Sequence, residues 1–439
     1  MQTLDSLIAC PRCFTPLENF ACQACGTIYL QIGGVPFLFP EPEYAIADWR
    51  NRWRLERQNL NRNAGRAKQA ATTAVGPARV RLQRLANGYA QQLKAVEAII
   101  QPMLGEDRGA ARETLLALQT RLPSHHAPSS YATNIVRDWA WGDTETTSAL
   151  ALLDPLLPPG EPVLQLGSGA GRVAFELGKS RAVVALDSNP LLVLLAHQLS
   201  SGQSRSFMEF PLAPIRPIDV CIRHALRANG GSGHVRHLVA DAMHPPLQRK
   251  ACPVVLTHWL IDVLDQPFPV VASLINSLLR PDGVWVNLGS LAFDHAQPAQ
   301  NLLLDEVESA LESAGFAIET LREDELPYLQ SPHSRQRRQE LMVSWRARKI
   351  RESNRPEMIT RLPEWLAGHQ TAIPLLPAFA TQAATVRIHA WIMSMIDGKR
   401  SLADIAVELE RQGLMPRAEA EAAIRGFLMT MHDEMLRSG

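Results

Sequence analysis

V-L-Q-L-G-S-G-A-G-R (residues 163–172) and A-V-V-A-L-D-S-N-P (residues 182–190) decide the fold. One apolar run ends in three alternate glycines, Gly167, Gly169 and Gly171. A second, one short helix later, ends in a carboxylate, Asp187. Strand, tight turn, helix, strand is the order of a doubly wound nucleotide-binding unit. Glycine lets the backbone approach a ligand and take turn angles that a Cβ penalises. Asp187 stands where an acid accepts hydrogen bonds from two ribose hydroxyls. The position after the glycines is Arg172, where a dinucleotide fingerprint carries a further glycine. That shifts the expected ligand from NAD to S-adenosylmethionine. A purely structural strand–helix turn is the alternative, and the placement of Asp187 argues against it.

Outward from this unit, strands and helices alternate from about residue 150 to 350. Strands are expected at 162–166, 182–186, 235–239, 252–257 and 283–288, with edge strands at 316–320 and 341–346. That order fits a Rossmann-like, seven-stranded class I methyltransferase sheet closed by an antiparallel pair. Residues 41–130 lack strand alternation and read as two or three helices, broken near Gly76-Pro77 and Gln101-Pro102, with a linker at 121–130. From Arg50 to Lys94 basic residues face the single acid Glu56. Such a face suits RNA phosphates; the plainer reading is a solvated face on a neutral protein. Residues 351–439 read as a small helical domain, with three helices between 383 and 436 and an I-D-G-K-R-S turn at 396–401.

Composition agrees with a multidomain enzyme. The chain has 439 residues, is 46% hydrophobic and 20% charged, and has zero formal net charge. Zero net charge removes any general attraction to nucleic acid or membranes. No apolar run reaches membrane-span length, and no secretion signal opens the chain. A cytoplasmic protein is expected.

Four of the six cysteines lie near the N-terminus, as Cys10-Pro-Arg-Cys13 and Cys22-Gln-Ala-Cys25. Paired C-x2-C knuckles suit one tetrahedral Zn2+, and four thiolates close its shell, so a structural ion is expected. Two disulfides are the alternative, disfavoured in a cytosolic chain. The following residues 28–39 read as a hairpin turning at Gly33-Gly34. Residues 1–40 together resemble the zinc ribbons of Trm112-like proteins. The C-terminal helices resemble winged-helix modules of the PqqD type, which implies a peptide or protein partner; a packing appendage is the alternative.

Three further segments resemble the carnosine N-methyltransferase family: N-I-V-R-D-W (134–139), T-H-W-L-I-D-V-L (257–264) and L-L-R-P-D-G-V-W-V-N-L-G-S-L (278–291). The resemblance covers about residues 131–350. It implies that Arg137 pairs with the methionine carboxylate of S-adenosylmethionine, with Asn134 beside it where the family has Gln. Gly167 would lie beneath the methionine moiety, Asp187 would hold the ribose, and Asp241 would face the adenine amino group. Asp262 would orient an acceptor imidazole, and Tyr328 would line the acceptor side. Where the family has a Tyr-His pair after N-L-G, this chain has Phe293-Asp294-His295, with His295 as the candidate.

Each residue also has a plain alternative: a surface ion pair for Arg137-Asp138, a helix N-cap for Asp262, a turn residue for Asp241, and packing or solvent roles for His258 and His295. The acceptor expected is a small molecule or peptide bearing a histidine-like nitrogen. Alternatives are a zinc-ribbon RNA methyltransferase and a non-catalytic docking protein.

Overall fold

The computed structural model describes residues 7–104, 128–231, 234–353 and 372–438. The chain divides into two compact units, Met1–Met358 and Ile359–Gly439. Residues 121–127 of the expected linker lie outside the described residues, as does any third helix within 105–127.

Eleven strands are described: β1 (Gln31–Ile32), β2 (Val35–Pro36), β3 (Val163–Leu166), β4 (Val183–Asp187), β5 (Arg205–Glu209), β6 (Ile222–Leu226), β7 (Val235–Val239), β8 (Cys252–His258), β9 (Leu279–Gly289), β10 (Phe316–Tyr328) and β11 (Arg338–Lys349). Seven form one sheet in the order β10-β11-β9-β8-β3-β4-β7. β7, β4, β3, β8 and β9 run parallel, whereas β11 is antiparallel to β9 and to β10. Counting only these strands along the chain, the order is 3-2-1-4-5-7-6, that of the class I methyltransferase fold. The central strands are apolar and buried on both faces, as β3 and β4 show, because helices cover a parallel sheet on both sides. All seven expected strands form. Among the described residues, no helix is long and apolar enough to cross a membrane.

β5 and β6, absent from the sequence reading, form a separate antiparallel hairpin between β4 and β7. The hairpin leans on the helix Gly76–Ile100: Gln92 Oε1 accepts from Met208 N at 2.9 Å, and Tyr89 stacks on Phe210 at 4.8 Å. The preceding helix spans Pro42–Thr73. Four of its arginines are engaged within the protein: Arg52 pairs with Asp48, Arg54 donates to Asn51, Arg62 donates to Asn59, and Arg50 donates to the Met103 carbonyl. This pattern fits the solvated-face reading better than a phosphate-binding one.

The cysteine-rich segment turns through β1 and β2 at Gly33-Gly34, as expected, both at positive φ. It then docks on the sheet. Leu38 N donates to Val239 O at 2.8 Å, and Ala9 N donates to Pro246 O at 2.8 Å. Leu7, Ile8, Cys10, Cys22, Tyr29 and Leu38 share a core with the sheet. The segment therefore covers the β7 edge, which would otherwise present unpaired backbone groups.

The second unit contains helices Pro377–Ser394, Leu402–Arg411 and Arg417–Ser438. Ile392, Met395, Ile405, Leu409 and Ile424 make its small core. Its described residues are helical and turn, with no strand.

Candidate functional site

The glycine turn follows β3, and all three of its glycines have positive φ. A Cβ on Gly167 would meet Leu260 Cδ1 at 2.6 Å, whereas one on Gly169 would meet nothing within 4 Å. Gly167 is therefore held small by packing, and Gly169 borders open space that a side chain would fill. The Asp187 carboxylate is tied to the turn, accepting from Gly169 N at 3.0 Å and Asn189 N at 2.9 Å. Burial pushes its pKa up to about 6 against the lowering effect of these bonds. A desolvated carboxylate beside open space fits a neutral hydrogen-bond donor such as a ribose diol.

The R-D-W segment is clamped to this turn. Arg137–Trp141 forms a π-helical turn, a geometry that recurs at functional sites. Trp139 Nε1 donates to the Ala170 carbonyl at 2.8 Å, inside the glycine turn. Arg172 returns the contact, its guanidinium donating to the Asp138 carbonyl at 2.7 Å and lying over the Trp139 ring. The arginine in place of a fourth glycine thus fastens the segment that carries Arg137. Arg137 pairs with Asp138 at 2.7 Å. This is a buried pair, with side chains 13% and 10% exposed, and not the surface pair of the plain alternative. Burial opposes the Arg137 charge, but Asp138 and neighbouring acids outweigh it and keep the group cationic.

From Arg137 the site continues to residues far away in sequence. Its guanidinium lies 5.6 Å from the Tyr328 ring centroid, and Asn134 Nδ2 approaches the Tyr328 hydroxyl at 3.5 Å. Tyr328 stacks on Trp259 at 4.1 Å. Trp259 has φ 54°, strained for a non-glycine residue, and follows His258 at the end of β8. Burial, then the charge of Arg137, pushes the His258 pKa down to about 3, so its imidazole is neutral. His258 Nε2 is buried without a partner among the described residues. The next segment is tied back by Glu145, which accepts from Leu329 N and Gln330 N.

Asp262 lies in the turn after β8. No helix begins there; the next spans Phe268–Leu278, with Pro267 at its N-cap. The N-cap alternative therefore fails. Ser290, just after β9, donates its hydroxyl to Asp262 Oδ2. Asp262 Oδ1 is buried with no partner among the described residues. Burial raises the Asp262 pKa, opposed by the Ser290 bond and by the backbone N–H groups of Asp262 and Ala292. Burial raises the Tyr131 hydroxyl pKa first, and the charges of Asp187, Tyr328 and Asp262 raise it further. One ring thus feels both acids.

Two candidates lie differently. Asp241 follows β7, and its carboxylate accepts from Met243 N at 2.9 Å and meets His244 Nδ1 at 2.7 Å, so its bonds are those of a turn residue. The contacts described for His295 are stacking on Phe293 and two backbone bonds with Asn301. The W-x-N-L-G segment proves structural: Asn287 is fully buried, accepts from Thr257 and donates to Val343 O, joining β8, β9 and β11. Tyr131, Trp259, Ser290 and Glu145 were not singled out by sequence. Only Trp259, beside His258 in T-H-W, carried a local signal.

The four N-terminal cysteines converge. Their Sγ atoms all lie within 4.8 Å of one another, with Cys10–Cys25 at 3.6 Å and Cys13–Cys22 at 3.3 Å. A tetrahedron of ~2.3 Å Zn–S bonds has edges of roughly 3.8 Å. The Cys10–Cys25 and Cys13–Cys22 separations exceed a disulfide's ~2.05 Å S–S length, which counts against the disulfide alternative. Cys10 and Cys22 are buried; Cys13 and Cys25 are exposed.

The strand order and glycine turn define a class I S-adenosylmethionine-dependent methyltransferase fold. Over 212 residues the chain is similar to the Drosophila melanogaster protein named carnosine N-methyltransferase unmet, with 28% identity, a match covering 43% of this chain and 45% of that protein. It thus spans less than half of that relative's length. No family model matches. Similar solved structures include S-adenosylmethionine-dependent methyltransferases from Methanosarcina mazei (15% identity, 45% of this chain and 97% of that one, TM-score 0.32) and Aquifex aeolicus (16% identity, 50% and 98%, TM-score 0.32).

Proposed function

We propose that this chain is an S-adenosylmethionine-dependent N-methyltransferase acting on an imidazole nitrogen of a small molecule or peptide. The observation that carries the reading is Asp262: a buried carboxylate with one oxygen fixed by Ser290 and the other without a partner. It follows β8 at the carboxyl edge of the parallel sheet, where ligands bind in such folds. The resemblance of 257–264 to carnosine N-methyltransferases supports an acceptor bearing a histidine ring.

Gly167, Gly169, Asp187 and Arg137 would hold the cofactor, with Asn134 and Asp241 as further candidates. Bound S-adenosylmethionine supplies an electrophilic methyl group that needs no further activation. Arg137 provides a cation for a carboxylate, a charge-assisted contact. Asp187 accepts hydroxyl hydrogens. On the acceptor side, Asp262 Oδ1 accepts the N–H of a neutral imidazole, leaving the opposite lone pair free for in-line attack, and it stabilises the imidazolium charge as that charge grows. Tyr328, stacked on Trp259, forms an aromatic wall beside Arg137. His295 is a further candidate on the loop after β9. Alignment of this kind contributes up to about 7–11 kcal/mol at its limit.

The four thiolates are proposed to hold one structural Zn2+ at the β7 edge. The C-terminal helices are proposed as a docking module for a peptide or protein. Label transfer from methyl-labelled cofactor to carnosine and histidine-containing peptides tests the reading. Transfer to RNA fragments alone overturns it in favour of an RNA methyltransferase.

A further inference from the structure

We propose a second metal site, independent of the four cysteines, for one first-row divalent cation held by Glu209, His224 and His333. Each residue comes from a different segment: Glu209 ends β5, His224 lies on β6, and His333 lies between β10 and β11. Their ligand atoms all lie within 4.8 Å of one another. Glu209 is 3% exposed, too buried for a solvated surface acid.

The donors are held in place by further partners. Glu209 Oε2 faces His224 Nε2 at 2.6 Å, and Glu209 Oε1 accepts from the Ser331 hydroxyl. The His333 Nδ1 atom meets Asp219 Oδ1 at 3.0 Å. Asp219 is 3% exposed and is fixed in turn by Arg216. A carboxylate holding one ring nitrogen sets the tautomer and leaves the other nitrogen for an ion, the usual support of a ligating histidine. The two imidazole rings are 6.1 Å apart and tilted by 55°. With bonds of ~2.0–2.1 Å, the ion takes the place of the proton that Glu209 and His224 otherwise share, and the pair opens by less than ~1 Å. Two imidazoles and one carboxylate suit zinc and its first-row neighbours better than calcium or magnesium.

Such an ion would staple the β5–β6 hairpin to the segment leaving Tyr328. That segment already touches the hairpin connection: Arg335 N donates to Ala213 O at 2.7 Å, and Ile215 N donates to His333 O at 3.2 Å. Its effect on the acceptor wall rests on the proposed function; the metal site does not.

The test is cobalt(II) titration of the full-length protein, followed by absorption and by elemental analysis. Two equivalents are expected, one with thiolate-to-metal charge-transfer bands and one without. Cys10→Ser with Cys22→Ser removes the first. His224→Ala with His333→Ala removes the second and leaves the thiolate bands intact. Asp219→Asn keeps every ligand and weakens the second site about 10–100-fold. Saturation of the wild type at one equivalent, all of it thiolate-bound, overturns the proposal without recourse to any variant. So does a second equivalent that survives the paired histidine substitution.

Discussion

Replacing Asp262 by asparagine separates chemistry from structure at one atom. Asparagine keeps an oxygen for the Ser290 hydroxyl, so the internal bond survives. The wild-type carboxyl has a raised pKa because burial disfavours its charge. The folded state therefore holds its proton more tightly than the unfolded state. Stability is lost as pH rises from the ordinary carboxylate range through the raised value. A neutral amide escapes that loss, so Asp262→Asn should be at least as stable as wild type at neutral pH. Catalysis should respond in the opposite direction. An imidazole bonded to Oδ1 would put its developing charge about 4 Å from the carboxylate, worth about 4 kcal/mol at an effective dielectric of about 20. That corresponds to a roughly 10³-fold loss of turnover. Methyl transfer to an imidazole acceptor would be measured beside cofactor affinity by calorimetry and melting temperature. Loss of turnover with affinity and stability intact is expected. Wild-type turnover would refute the orienting role; a parallel loss of stability would show that the carboxylate serves the fold.

Gly169→Val should leave the fold in place, because its Cβ meets nothing within 4 Å. The positive φ costs about 1–2 kcal/mol. Calorimetry should nevertheless find no cofactor binding, and unchanged affinity would sink the assignment of the turn. Asp187→Ala should weaken cofactor binding by about 1.5–3 kcal/mol, the range for bonds to a charged group. With the Asp187 pKa pushed up to about 6, wild-type affinity should be flat above pH 7 and fall by at most about tenfold per unit below pH 6; a pH-independent affinity from 5 to 8 contradicts this. Replacing Cys10 and Cys22 by serine should release one zinc, read by elemental analysis. Because both residues sit in the core shared with the sheet, the melting point of the larger unit should fall as well.

The sheet was legible because its parallel strands are buried on both faces and read as largely apolar runs, V-L-Q-L and V-V-A-L-D among them. The cysteine cluster was legible because knuckle spacing is a local property. β5 and β6 were not. Arg205, Arg223 and His224 interrupt their alternation. What buries the hairpin is a helix more than a hundred residues earlier, through Gln92 and Tyr89.

The site divides along the same line. Glycine turn and acid announce themselves within 25 residues, since turn geometry and strand ends are set locally. Arg137, Asp262 and Tyr328 were reached only through resemblance to a family. Nothing in the sequence says that Trp139 fastens Arg137 to the glycine turn, or that Asn134 meets Tyr328 from 194 residues away. Nor does it say that Tyr131 feels both acids. Periodicity and turn chemistry report which face of an element is buried. Which side chains then share a low-dielectric space depends on how the sheet twists, how its edge pair closes and where the R-D-W segment is clamped. Only the tertiary structure decides those, because the burial that shifts the pKa values of Asp187, His258 and Asp262 comes from elements far apart in the chain.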